Sequence, residues 1–547
     1  MIRNNKITAS LARYLFATFT CLAIVSSATA ESLHLDKTKQ TENTRPVIQT
    51  INGPIRGIEK NGVNLFLGIP YAAPPVGKLR WMPPAPVANH DLIETNKYGN
   101  QCAQSFTFGV FASQSLSEDC LYLNVFAPAK TDLKQKRPVM VWIHGGGHFN
   151  GSGDDYDGSK LVQDGHTIVV TFNYRLNVFG FLAHPALDNE GHPFANYGIL
   201  DQQAALRWVR DNIAQFGGDP DNVTLFGESA GGESTLANMV SPAARGLFHR
   251  GIVESGPVVS PILGNWNKDL PTAETFGKRF ADAVGCPDQS AECLRALSAT
   301  DILKRSGEFQ TNQHIVDGTI LPLSYAKAFS TGQFNHMPLI MGMNKDEWRW
   351  LRGIVEIGSG KPMKAADYPA AIAATFGAKN AEEIIRHYPL SAYPSASVAL
   401  AAAETDGGFS CPMREIMQDV ARYEPNTYAY EFMDETAPSY MQPVSFPYGA
   451  AHTSEIQYLF PLYHGSTGTP HPLNARQTHL SDQMVAYWTT FAKNGNPNSK
   501  KTPHWPSYKD KSGTDHWQLL QQPKPATAAV GKFVSQHQCK FWNTLNK

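Results

Sequence analysis

Val223-Thr224-Leu225-Phe226-Gly227-Glu228-Ser229-Ala230-Gly231-Gly232 is the stretch whose reading decides the fold. Four β-prone apolar or branched residues run straight into Gly-Glu-Ser-Ala-Gly, and a helix-compatible segment follows from about Ala230 to Met239. A strand that turns sharply into a helix needs small residues on both sides of the turning position. Gly227 and Gly231 supply them and leave Ser229 at the apex, as in a nucleophile elbow of the G-x-S-x-G kind. The same turn puts the Ala230 amide at a helix N-terminus, where an N–H can stabilise a developing oxyanion. Gly-x-Ser-x-Gly also occurs in ordinary turns; the strand before it and the helix after it give it weight here.

Working outward, Val139-Met140-Val141-Trp142-Ile143 is a continuous apolar run, the mark of a strand buried on both faces. It ends in His144-Gly145-Gly146-Gly147-His148. Three successive glycines cost backbone entropy. Close approach of backbone N–H groups to a ligand oxygen gives them a use, and a flexible surface turn is the plain alternative. Thr167 to Tyr174 reads as another buried strand, and Leu200, Ala204, Trp208, Val209 and Ile213 recur at helical spacing. Gly217-Gly218-Asp219-Pro220 stops that helix, with the elbow strand expected from Val223. Further β-prone runs come at Gly251-Ile252-Val253, Pro338-Leu339-Ile340-Met341-Gly342 and Thr427-Tyr428-Ala429-Tyr430-Glu431-Phe432. Between Val47 and Pro70, Asn52-Gly53 and Asn61-Gly62 signal hairpins. Strands alternating with helices give an α/β class with a mostly parallel, doubly wound sheet. The Ala-rich residues 360–425 read as helices over the strand ends, where such sheets place their sites.

With 547 residues, 42% hydrophobic and 11% aromatic, the chain can bury a sizeable core. A net charge of −1 without a long single-sign run excludes the basic stripe of a nucleic-acid binder. Arg3, Lys6 and Arg13, an apolar Tyr14 to Val25 and Ala28-Thr29-Ala30 read as a signal peptide over 1–30, cut after Ala30. A retained anchor is the rival, against which the apolar core is short. No later segment is long and apolar enough to span a bilayer, so the mature chain, 31–547, is expected to be secreted or periplasmic. Cys21 leaves with the leader, and Cys102, Cys120, Cys286, Cys293, Cys411 and Cys539 remain. Six cysteines admit fifteen pairings. Joining neighbours, Cys102–Cys120 and Cys286–Cys293, and leaving Cys411 to reach Cys539 is the simplest guess. No Cys-x-x-Cys occurs, Asp154-Asp155-Tyr156-Asp157-Gly158 lacks the spaced ligands of a calcium loop, and no metal or cofactor is expected.

A serine hydroxyl needs a base to take its proton, and the base needs a carboxylate to hold its tautomer. Asn344-Lys345-Asp346-Glu347 follows a strand and offers two acids, Asp346 and Glu347. Gly449-Ala450-Ala451-His452-Thr453-Ser454-Glu455 is a small-residue loop carrying one of 18 histidines. Spacing alone singles out neither acid and gives His452 little weight.

The chain resembles the type-B carboxylesterases, the family that includes cholinesterases and bacterial p-nitrobenzyl esterases. The stretches that carry the resemblance are Ser117-Glu118-Asp119-Cys120-Leu121-Tyr122-Leu123-Asn124, His144-Gly145-Gly146-Gly147, Asn173-Tyr174-Arg175, Asn196-Tyr197-Gly198-Ile199-Leu200-Asp201-Gln202 and Phe216-Gly217-Gly218-Asp219-Pro220, with the elbow, Asn344-Lys345-Asp346-Glu347 and the His452 loop. The resemblance covers nearly all of the mature chain. It implies a single α/β-hydrolase domain, 31–547, with helical insertions near 260–440, and an exported serine esterase that works through an acyl-enzyme on small ester substrates. Ser229 resembles the nucleophile, Glu347 the acid and His452 the base. Gly146, Gly147 and Ala230 resemble the oxyanion-hole donors, and Glu228 and Ser255 resemble residues that orient the three. The three cysteine pairs match the family's bridges. The Cys102–Cys120 loop lacks the tryptophan of choline-cleaving members and offers Phe106, Phe108 and Phe111 instead, while Trp348 replaces a glycine common after the acid. A choline ester, which wants an aromatic cage, is therefore not expected. A solvated His452 would lose its base function roughly around pH 6–7. The rival readings are a non-catalytic adhesion or binding homologue, and amidase or lipase activity.

Overall fold

The computed structural model describes residues 45–545 apart from 106–111, 131–132, 257–258, 261–263, 266, 310–311, 462–470 and 510–514. The leader and Phe106, Phe108 and Phe111 lie outside the described residues.

Eleven strands of the described residues form one sheet. In chain order they are β1 (Ile58–Lys60), β2 (Val63–Pro70), β3 (Tyr122–Pro128), β4 (Arg137–Ile143), β5 (Ile168–Phe172), β6 (Gly218–Glu228), β7 (Arg250–Glu254), β8 (Leu339–Asn344), β9 (Thr427–Phe432), β10 (His516–Leu520) and β11 (Ala526–Ala529). Their spatial order is β11-β10-β9-β8-β7-β6-β4-β5-β3-β2-β1. Neighbours from β5 through β10 run parallel, while β3, β2 and β1 at one edge and β11 at the other are antiparallel. This is the α/β-hydrolase sheet, and its central strands read as unbroken apolar runs because both faces are covered. Along β4, Val139, Val141 and Ile143 enter one core and Met140 and Trp142 the other, the period of two that a pleat imposes. The Trp142 ring packs 4.8 Å from both Phe226 and Phe460.

Local signals explain most boundaries. Asn61 and Gly62 take positive φ, 52° and 79°, and close the β1–β2 hairpin as a two-residue turn whose twist suits the strands. The preceding hairpin, Val47–Thr50 against Gly53–Arg56, turns at Ile51-Asn52, one residue before the Asn52-Gly53 expected, because Gly53 is already paired with Thr50. Helix α1 (Tyr197–Asn212) tightens into a 3-10 turn and ends on left-handed Gly217. The elbow strand then begins at Gly218 rather than Val223, since an irregular register between Arg137 and Val139 of β4 absorbs the Asp219–Asn222 stretch. Helix α2 (Ala230–Val240) follows the elbow. Between β8 and β9 lie α3 (Arg349–Ser359), α4 (Ala396–Thr405) and α5 (Cys411–Val420), with shorter helices among them.

Cysteines pair as 102–120, 286–293 and 411–539. The last closes 128 residues, worth about 5 kcal/mol on the chain-entropy account. No helix of the described residues is long and apolar enough to cross a membrane.

A buried ion pair fixes α1 to the end of β5. Arg175 donates to Asp201 through Nε (2.8 Å) and Nη2 (2.7 Å), and the Arg175 backbone N–H adds a third bond at 3.0 Å. Both side chains are almost fully excluded from solvent. Asp201→Ala leaves a buried guanidinium unpaired and is expected to cost about 3–5 kcal/mol. Chemical denaturation measures it; a loss under about 1 kcal/mol contradicts the role given to this pair.

Candidate active site

Strand β6 ends on Glu228 and α2 begins on Ala230, so one residue makes the whole turn. Ser229 takes φ 56° and ψ −123°, a conformation that costs a non-glycine residue about 1–3 kcal/mol. Crowding enforces it. A β-carbon on Gly231 would stand 2.0 Å from the Ile143 carbonyl oxygen, so the helix starts hard against the end of β4. The Ser229 N–H donates to Glu254 O at 2.9 Å, which ties the elbow to β7.

The loop after β4 brings a second set of groups. Gly146 and Gly147 have φ 99° and 61°, left-handed values that glycine adopts without strain. Among the described residues the amides of Gly146, Gly147 and Ala230 donate no backbone or side-chain hydrogen bond, leaving three uncommitted N–H groups. Asn312 Nδ2 donates to Gly147 O at 2.7 Å and pins the loop from behind.

The imidazole comes from the loop after β9 and the carboxylate from the loop after β8. His452 Nδ1–H donates to Glu347 Oε2 at 2.5 Å, and the Asn344 N–H donates to Glu347 Oε1 at 2.7 Å. Asp346 turns away to Arg349 (2.9 Å) and to the Ala450 N–H (3.1 Å). Of the two acids that the sequence left open, Glu347 faces the ring. Nε2 of His452 stands 3.2 Å from Glu228 Oε1. Among the described residues Ser229 Oγ and His452 share no hydrogen bond, but both line one cavity of about 180 Å³ with Gly147 and Ala230. Ser255 has φ 48° and its hydroxyl lies 3.5 Å from Glu455 Oε1.

Three buried carboxylates, Glu228, Glu347 and Glu455, surround this ring, and a fourth, Glu254, acts on Glu228. Burial alone would push His452 down, but Glu228, Glu347 and Glu455 outweigh it and raise it to about 9. Burial, aided by the neighbouring acids and opposed by His452, also pushes Glu228 well up. Glu228 rises through burial and His452 through its acidic neighbours, and with the two only 3.2 Å apart the ring holds its proton more tightly than a solvated imidazole would. The expected loss of base function near pH 6–7 therefore moves upward.

Trp348 lines the cavity, with its ring 5.2 Å from Phe409. Trp350, Leu351, Phe409 and Phe149 complete the apolar wall, and His148, Glu233 and Asn312 also reach it. The sequence reading missed these seven. Phe409 sits in a π turn, Asp406–Ser410, joining α4 to α5, and no periodicity announces it. Double occurrence of Trp in Glu347-Trp348-Arg349-Trp350 was a signal for Trp350.

The profile of the Carboxylesterase family matches residues 44–542. Cocaine esterase of Homo sapiens is 35% identical over 511 residues, covering 88% of this chain and 87% of that protein. Acylcarnitine hydrolase of Mus musculus is 33% identical, covering 92% of each. Among solved structures, a PNB esterase superposes with TM-score 0.73 at 32% identity, covering 90% of this chain and all of that one.

Glu228→Gln removes one of the negative charges that stabilise the imidazolium, so the His452 titration midpoint should fall. NMR of ring-labelled histidine checks this: a wild-type midpoint above 6.5 that drops in the variant is expected, and an unmoved midpoint contradicts the coupling.

Proposed function

This chain belongs to the carboxylesterase family and is a carboxylic ester hydrolase, and from that premise we propose that Ser229 is its nucleophile, His452 its general base and Glu347 the acid that orients the base. Ser229 Oγ attacks the ester carbonyl while His452 Nε2 takes its proton. The carbonyl oxygen, now an oxyanion, receives the N–H groups of Gly146, Gly147 and Ala230. His452 returns the proton to the leaving alkoxide, and a water activated by the same ring releases the acyl group from Ser229. One observation carries this reading: the 2.5 Å bond from Nδ1 to Glu347 leaves Nε2 free to exchange a proton, in a cavity that also holds the elbow serine. Serine–histidine contacts of this kind often close only when substrate binds.

Glu228 and Ser255 orient this machinery in our reading, with Glu228 also sharing the proton at Nε2. The tryptophans and Phe409 favour an apolar acyl or alcohol group, and Trp348 limits its size. A leader over 1–30, cut after Ala30, and a single catalytic domain over 31–547 complete the proposal. Three disulfides support an oxidising, exported setting, secreted or periplasmic.

Ser229→Ala is expected to lower kcat roughly a million-fold on a p-nitrophenyl ester. Retention of near-normal turnover contradicts the assignment. Trp348→Ala is expected to shift preference toward esters with longer or branched acyl groups, read as the ratio of kcat/KM values across a chain-length series. An unchanged ratio removes Trp348 from the size limit.

A further inference from the structure

Next to the loop that carries Gly146 and Gly147, and reaching the same cavity as His452, lies a second group of side chains that the ester chemistry does not use. His148, Glu233 and His314 are buried, and one donor atom from each lies within 4.8 Å of the other two. The rings of His148 and His314 are 4.4 Å apart. Glu233 reaches toward both, Oε2 standing 3.9 Å from His148 Nδ1 and Oε1 3.4 Å from His314 Nδ1.

The hydrogen bonds leave a donor deficit. His148 Nε2 lies 2.9 Å from Ala230 O and 3.1 Å from Ser234 Oγ, and its Nδ1 lies 3.1 Å from Asn312 O. A neutral imidazole carries one N–H, so it serves only one of those two carbonyls. With the proton on Nε2, the Nδ1 lone pair points at the Asn312 oxygen, and something positive is needed between them. His314 Nδ1 bonds the Tyr325 hydroxyl, while among the described residues its Nε2 has no partner. Glu233 Oε1 likewise has no hydrogen-bond partner among them. Each imidazole is thus anchored through one nitrogen, the arrangement that orients a metal-bound histidine.

We propose that His148, Glu233 and His314 hold a divalent transition-metal ion of the zinc class, with the Asn312 carbonyl placed as a fourth oxygen donor. Two imidazoles and a carboxylate are a borderline donor set that suits Zn²⁺ or Co²⁺ and disfavours Ca²⁺ or Mg²⁺. Bonds of about 2.0–2.1 Å put the ligand atoms of a tetrahedral ion about 3.4 Å apart. The 3.1 and 3.9 Å spacings of His148 Nδ1 from Asn312 O and from Glu233 Oε2 bracket that value, and one donor atom from each of the three side chains lies within 4.8 Å of the others, so the Glu233 carboxylate and the His314 ring have to move inward. The ion reaches the site from the substrate cavity, which His148, Glu233 and Asn312 line. Bound there, it ties His148 to Asn312, whose amide already holds Gly147 O, and so stiffens the oxyanion loop without touching the ester. This site is independent of the proposed roles of Ser229, His452 and Glu347.

The test uses the untagged mature protein in equilibrium dialysis against Zn²⁺ and Co²⁺, with metal counted by mass spectrometry. One ion per chain is expected, with affinity falling at least tenfold in His314→Gln and in Glu233→Gln, and with the intense visible bands of four-coordinate Co²⁺. Wild-type protein retaining no more metal than His314→Gln overturns the proposal, a second proton on His148 then answering the deficit. Should neither variant fold, the wild-type Co²⁺ spectrum decides: strong four-coordinate bands support the site, and the weak spectrum of a six-coordinate ion overturns it.

Discussion

The site depends on a contact too close for any side chain: the backbone of Gly231 passes the carbonyl of Ile143 at a distance that excludes a β-carbon. Because α2 must start there, β6 cannot relax into it, and the whole change of direction falls on Ser229. The strain held at that residue is offset by the sheet, whose central strands are buried on both faces and leave the elbow no alternative path. The uncommitted amides follow from the same geometry. Ala230 opens a helix whose first N–H groups have no internal partner, and the glycine loop ends β4, the strand against which that helix is jammed.

Around this rigid corner the electrostatics are set by distant parts of the chain. Glu228, Glu347 and Glu455 come from the end of β6 and from loops after β8 and β9, and they converge on one imidazole. A single histidine among so many carboxylates holds its proton more firmly than it would in water. In the proposed mechanism the same crowding favours the charged ring that proton abstraction creates and holds that proton against the leaving group, so the cluster serves the first half of the reaction at some expense to the second.

What could be read from the sequence follows from how local each signal was. The elbow was legible because an unbroken β run, two glycines and a helix lie within a few residues of Ser229. The strands were legible for the same reason, with errors at Ile51-Asn52 and at Gly218, where pairing with another strand overrode the local turn chemistry. Asp346 and Glu347 could not be separated by composition; their opposite orientations at one loop decide which meets the ring. His452 stood out only through resemblance, since nothing local marks one histidine among 18. Phe409, Phe149 and the His148, Glu233 and His314 group come together over separations that no window spans. The upward displacement of His452 was unreadable because it arises from three segments meeting in space.

The account stands on Ser229 being a hydroxyl that His452 activates. Treatment of the mature protein with a fluorophosphonate, followed by peptide mass spectrometry, tests this most directly. One phosphonyl group on Ser229, absent when His452 is replaced by alanine, is the predicted result. An unlabelled Ser229 in protein that still cleaves esters, or labelling that ignores the loss of His452, contradicts it.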